Sequence, residues 1–254
     1  MTDELMAAAR LLTDTQRILI FSGAGISTES GIPDFRGPSG VWKTVNPDDY
    51  TLANYMADAE FRKAAWKRRF DSFVMHALPN PAHQAVVDLN KAGLMIGCVT
   101  QNIDGLHQKA GLAATDLVEL HGNASGIRCL ECLTLADTDD VEIRWRKGES
   151  DPPCLACGGL LKTTVIYFGE MLPPDAIVRA AAWSAKADAV VAVGSSLSVY
   201  PAANVTLDVA AHNKPFVILN DGPTEQDDVA TILLGGKAGV LLPLLVAELM
   251  GSRR

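Results

Sequence analysis

Short apolar runs recur along this chain. They lie at residues 18–21, 94–99, 116–120, 164–167, 189–193 and 216–219. Each is too short for a helix, and Ile18-Leu19-Ile20-Phe21 is typical of a strand covered on both faces. Between the runs, residues 82–91, 174–185 and 202–212 space their apolar positions as helices do, and residues 1–16 read as a leading amphipathic helix. Alternating strand and helix predicts an α/β fold: a doubly wound, mostly parallel, Rossmann-like sheet. Ligands in such sheets sit beyond the carboxyl ends of the strands. Gly23-Ala24-Gly25, Gln101-Asn102-Ile103-Asp104, His121-Gly122 and Gly194-Ser195-Ser196 all follow an apolar run directly.

Two stretches break the alternation. Residues 38–79 are helical and loop-like, with Trp42, Tyr50, Tyr55 and Trp66; residues 128–160 carry paired cysteines and an acidic middle. The expected organisation is a large Rossmann-like domain from 1–37, 80–127 and 161–254. A smaller domain then comes from the inserts 38–79 and 128–160, with a cleft between the two. The tail 251–254 is expected to fray.

A length of 254 residues allows a substantial core. The net charge of −8 and pI near 5.1 argue against a nucleic-acid footprint. No apolar run reaches the length of a membrane span. Residues 1–5 lack the features of a signal peptide, so a cytoplasmic location and a monomer are the expectations.

Four of the five cysteines form Cys129-x-x-Cys132 and Cys154-x-x-Cys157. Two such pairs clamp one tetrahedral Zn2+, and an all-thiolate set leaves no open position for water, so the metal is structural. Disulfides or a redox pair are the competing readings. Cys98, inside an apolar run, reads as core.

Gly23 and Gly25 stand where a strand turns into a helix. Glycine there permits positive φ and close approach of a phosphate, and free N–H groups at the helix start favour a diphosphate. A standard dinucleotide fingerprint would place a third glycine at position 28, where this chain has Thr28. His121 at a strand end is a candidate general base, or a histidine bonded to a backbone carbonyl. Asn102 and Asp104 suit ribose hydroxyls and a carboxamide, or simple helix capping. Asp34 and Arg36 could form a surface ion pair. Ser195 and Ser196 suit ribose or phosphate contact and do not match a nucleophile elbow.

The block from Gly23 to Gly37, with Pro33-Asp34-Phe35-Arg36, resembles the sirtuins, the NAD-dependent protein-lysine deacylases. Four further segments carry the resemblance in the family's order. They are Thr100 to His107, Glu119-Leu120-His121-Gly122-Asn123, Phe168-Gly169-Glu170 and Gly194 to Ala202. The resemblance covers nearly the whole chain.

It implies NAD as co-substrate, acyl-lysine proteins or peptides as partners, and one structural zinc per chain. It implies that His121 takes a proton from a ribose hydroxyl, while Asn102 orders ribose and a water. Gln101, Ile103 and Asp104 would line the nicotinamide side, the last two contacting its amide. Gly23, Ala24, Gly25, Thr28, Gly194, Ser195, Ser196, Asn220, Asp221 and Ala238 would hold the remainder of NAD. Asp34, Phe35 and Arg36 would lie in a loop folding over it. Ile166, Phe168, Gly169 and Glu170 would face Val199 and Tyr200, with the peptide between them as an added strand. Arg69 is a candidate partner for an acidic acyl group, and Trp66 would narrow the pocket, so deacetylation is the expected main activity. Succinyl or malonyl removal, ADP-ribosyl transfer, a non-catalytic NAD sensor and a dehydrogenase are the alternatives.

Overall fold

The computed structural model describes residues 2–37, 40–46 and 50–252. Residues 38, 39 and 47–49 of the first insert, and Arg253 and Arg254 of the tail, lie outside the described residues. The strands are β1 (Ile18–Ser22), β2 (Met95–Thr100), β3 (Leu117–Glu119), β4 (Ile127–Cys129), β5 (Leu135–Ala136), β6 (Leu161–Thr163), β7 (Ala189–Val193), β8 (Phe216–Asn220) and β9 (Ile232–Gly235). The helices are α1 (Asp3–Leu12), α2 (Leu52–Ala57), α3 (Ala59–Asp71), α4 (Pro81–Lys91), α5 (Leu106–Lys109), α6 (Thr138–Arg146), α7 (Pro174–Lys186), α8 (Asn204–Ala210) and α9 (Ala238–Gly251).

The larger sheet is parallel throughout, in the order β3-β2-β1-β7-β8-β9. The chain runs outward from β1 through β2 to β3, then returns to the other side of β1 with β7. The strand order therefore reverses between β1 and β7, which opens a crevice at their carboxyl ends. Side chains alternate across the sheet. Ile18 and Ile20 join α1, α4 and α9 in one core. Leu19 and Phe21 join α7 and α8 in the other. Each such aliphatic or aromatic side chain contributes roughly 1.5–3 kcal/mol by leaving water.

A three-stranded antiparallel sheet, β5-β4-β6, holds the cysteine pairs. Its core joins Cys129, Cys154 and Leu161 to Trp66 and Phe70 of α3. Tyr55 Oη donates to the Leu161 carbonyl at 2.6 Å, and Arg62 Nε lies 2.7 Å from Asp151. The two inserts thus pack on each other.

One predicted strand is absent. Residues 164–167 are irregular, and the nearby strand, Leu161–Thr163, pairs with β4 in the small sheet. Thr164 N–H donates to the Gly126 carbonyl and Ile166 N–H to the His121 carbonyl, both at 2.9 Å. These are separate tethers and form no ladder. The apolar side chains of the run line a cleft instead of a sheet core.

Candidate active site

The β1–β7 crevice opens into a cleft of about 2000 Å³. A single small-molecule pocket is on the order of 300–1,000 Å³, so this space suits two ligands. Its floor begins where β1 ends. The 3-10 turn Ala24–Ser30 follows, in place of an α-helix.

Gly23 has φ of −125°, so positive φ is not the reason for glycine there. Close approach is. A Cβ on Gly23 would lie 2.8 Å from the Gly194 carbonyl oxygen, and one on Gly25 would lie 2.7 Å from Gly194 Cα. Gly194 itself has φ of +63°. Gly25 N–H donates to the Gly194 carbonyl at 2.7 Å, locking the two loops together.

His121 lies just past β3 and is mostly buried. Its Nδ1 is 3.0 Å from the Gln101 carbonyl oxygen. A carbonyl only accepts, so Nδ1 carries the proton and Nε2 is the basic nitrogen. Burial pushes the imidazole below the ordinary histidine value, and the Gln101 hydrogen bond opposes this in part. A ring that is neutral at pH 7 with a free Nε2 is what a general base requires.

Beneath this surface runs a buried polar network. Asn102 Nδ2 donates to Ser27 Oγ at 3.2 Å, and Ser27 Oγ donates to Asp104 Oδ2 at 2.7 Å. Asp104 Oδ1 accepts from Leu106 N–H at 2.9 Å. Asp104 therefore lies behind the cleft with both oxygens engaged and is absent from the wall, where contact with an amide was expected. His83 Nε2 is 3.4 Å from Ser27 Oγ, and the His83 and His107 rings meet edge-on at 5.1 Å. Burial lowers His83 to about 4 and His107 to about 3. His107 Nε2 is 2.9 Å from Ser22 Oγ.

The other predicted residues are brought together. Ala24, Thr28, Asp34, Phe35, Arg36, Gln101, Ile103, Ile166, Phe168, Gly169, Glu170, Ser195, Ser196, Val199, Tyr200, Asn220, Asp221 and Ala238 all line the cleft. Gln101 Nε2 donates to Ser195 Oγ at 2.9 Å, spanning the β2 and β7 ends. Asp34 Oδ1 accepts from Gly37 N–H at 2.8 Å, and among the described residues it makes no ion pair with Arg36.

Several participants escaped sequence reasoning. Trp42 contacts Phe35 at 5.1 Å and Phe168 at 6.2 Å between ring centroids, joining two walls. The Arg68 guanidinium lies 5.2 Å from the Tyr50 ring centroid and 5.4 Å from that of Phe61, on the cleft wall. Trp66, expected to narrow an acyl pocket, does line the cleft, though it is only 1% exposed and stacks on Phe70 at 5.7 Å. Arg69 lies over the same Phe70 ring and also lines the cleft. The aromatic spacing of the first insert was the available signal, but it does not reveal which ring meets which loop.

The four cysteine sulfurs lie within 4.8 Å of one another. Cys129–Cys157 and Cys132–Cys154 Sγ separations are 3.5 and 3.7 Å. Disulfides need about 2.05 Å. Tetrahedral zinc with about 2.3 Å Zn–S bonds places sulfurs near 3.8 Å, so the set fits that ion. Glu131 and Gly159 N–H groups point at Cys129 and Cys157 Sγ at 3.4 Å. The described residues include no helix long and apolar enough to cross a membrane.

Comparison with known proteins agrees with this geometry. The model of the Sir2 family matches residues 23–201. NAD-dependent protein deacetylase 2 of Streptomyces coelicolor is 44% identical over 94% of this chain and 100% of its own length. NAD-dependent protein deacylase 2 of Archaeoglobus fulgidus is 37% identical over 100% of this chain and 99% of its own. A solved structure of a Sir2 enzyme superposes with TM-score 0.90 at 36% identity, covering 100% of both chains. Another, Sir2Tm bound to a propionylated peptide, gives TM-score 0.83 at 32% identity over 96% of this chain and 97% of its own. The chain belongs to the Sir2 family.

Proposed function

We propose that this protein is an NAD-dependent protein-lysine deacylase, chiefly a deacetylase. It transfers the acyl group of acyl-lysine to ADP-ribose and releases nicotinamide. The observation that carries the reading is His121. Its Nδ1 proton is held by the Gln101 carbonyl, and Nε2 is left basic in a cleft roomy enough for a dinucleotide and a peptide.

NAD supplies a ribose carbon with a good leaving group and a hydroxyl able to take up the acyl group. The chain supplies the rest. Gly23, Gly25 and Gly194 bring backbone close to the diphosphate side, and Asn220, Asp221 and Ala238 face the adenosine side. Asn102, steadied by Ser27, orders the ribose and a water. His121 Nε2 takes the proton from the ribose hydroxyl. Phe35, braced by Trp42, shields the reacting face from solvent. The peptide lies between Phe168–Gly169–Glu170 and Val199–Tyr200.

Zinc at Cys129, Cys132, Cys154 and Cys157 holds the smaller body and does no chemistry. That body comprises the inserts 38–79 and 128–160 together with the strands that complete their sheet. Four thiolates suit a reducing compartment, and the cytoplasm is the proposed location.

The test is mass spectrometry of the products from a panel of acyl-lysine peptides with NAD. Free lysine peptide, nicotinamide and O-acyl-ADP-ribose in equal amounts are expected. NAD consumption without peptide, with ADP-ribosylated protein as product, would replace this reading with ADP-ribosyl transfer.

A further inference from the structure

A buried cation lies beneath the exposed Phe168 and Gly169. Lys162, the middle residue of β6, is 3% exposed and does not line the cleft. Its Nζ donates to the Thr163 carbonyl at 3.0 Å and the Val165 carbonyl at 2.5 Å, and lies 2.9 Å from Glu170 Oε1. It also sits 4.6 Å from the Tyr167 ring centroid. All four partners belong to the segment running from β6 to Glu170, so one side chain gathers the whole segment.

Glu170 closes the turn. Its Oε1 accepts from Tyr167 N–H at 3.0 Å, and its own N–H donates to the Tyr167 carbonyl at 3.0 Å. Phe168 exchanges two hydrogen bonds with Tyr50 and Leu52. Gly169 has φ of +85°, and its backbone groups make no hydrogen bond among the described residues. The turn thus presents a fixed shape with a free backbone at its exposed tip. Desolvating an ammonium is costly unless it is fully satisfied, and an apolar side chain of similar size would fill the same volume without that cost. What the cation adds is one defined conformation of the turn.

We infer that Lys162 is a positioning residue for the peptide strand. Through Glu170 it sets the shape of the turn Tyr167–Glu170 without touching the substrate. This rests on the reading that the acyl-lysine peptide lies along that turn.

Steady-state kinetics of the zinc-loaded full chain, with an acetyl-lysine peptide and NAD, test it. Lys162→Met should raise the peptide KM about tenfold, equivalent to ~1.4 kcal/mol. kcat and the NAD KM should stay within about twofold. Lys162→Arg should recover most of the loss. Glu170→Gln should raise the peptide KM comparably, and the double variant should fall well short of the product of the two single effects, because the two side chains share a contact. Additive effects, a change confined to kcat, or an equal rise in both KM values would overturn the inference. If Lys162→Met does not fold, Glu170→Gln decides alone, and an unchanged peptide KM there rejects the idea. An unmodified protein that leaves every acyl peptide intact rejects the functional reading and the inference with it. An active one with an unmoved peptide KM in the variants rejects the inference alone.

Discussion

His121 Nδ1 and the Gln101 carbonyl oxygen are 3.0 Å apart, and this contact fixes which imidazole nitrogen is basic. The contact joins the end of β3 to the end of β2, so the tautomer is set by sheet geometry. His121→Ala should lower deacylation by at least about a hundredfold, the scale of a lost general base, while NAD binding measured by calorimetry is retained. The pH profile gives a second check. Burial lowers the His121 pKa, so kcat/KM should fall on the acid side with a midpoint below 6.5. A midpoint above 7 would mean that another group is being titrated.

The cysteine cluster leads to a stability prediction. Its sulfurs share a core with Trp66 and Phe70. Changing Cys132 to Ala should abolish stoichiometric zinc and cost several kcal/mol, part of the roughly 10–16 kcal/mol apparent binding energy of structural zinc. Metal analysis and Trp fluorescence during unfolding would report it. Full stability without metal would count against a structural role.

Acyl preference turns on two neighbouring arginines. Arg69 rests on Phe70, and burial lowers its pKa with partial compensation from Glu142. Both line the cleft, Arg68 between Tyr50 and Phe61. Acetyl peptide should be the better substrate, with a succinyl-to-acetyl kcat/KM ratio below one. Any succinyl turnover should fall further with Arg68→Met, which removes a charge-assisted donor between two cleft aromatics, than with Arg69→Met, whose guanidinium is held over Phe70. A ratio well above one in the unmodified protein, or sensitivity at Arg69 instead, would contradict this.

The buried histidines predict acid sensitivity. His83 and His107 are held neutral, with values near 4 and 3 against an ordinary 6.5. Unfolded, each takes up a proton as pH falls below 6.5. Folded, each resists until much lower pH. Their stabilising contribution is therefore complete above 6.5 and is lost progressively as pH drops toward 4. At ~1.4 kcal/mol per pH unit for each group, the loss between pH 6.5 and 5 is on the order of 4 kcal/mol. Urea unfolding at pH 7.5 and pH 5 would measure it, and equal stabilities would show that the pair is not neutral when folded.

The parallel core was legible because β1 alternates Ile18 and Ile20 with Leu19 and Phe21, and both sets are apolar. The positions of Gly23 and Gly25 were legible too, but not the reason for them. The sequence suggests freedom in φ and room for a phosphate, whereas the structure shows a demand from Gly194 packed against them. β4 and β5 span only three and two residues, too short for any periodicity to register. Residues 164–167 carry a strand's composition. Their shape is set by Lys162, Glu170 and the His121 carbonyl, which are contacts that pattern does not encode. His83 looks like one polar residue on an apolar helix until Ser27 and His107 are placed beside it.

The position of β7 beside β1 has a consequence for synthesis. β1 is made before the other strands of its sheet, yet one of its two neighbours is not complete until residue 193. Gly25 has no Gly194 carbonyl to bond before then. A nascent or truncated chain ending before β7 lacks the Gly25–Gly194 contact that closes the floor of the cleft. Ligand binding, which stabilises only what can bind it, would therefore favour completed chains over fragments.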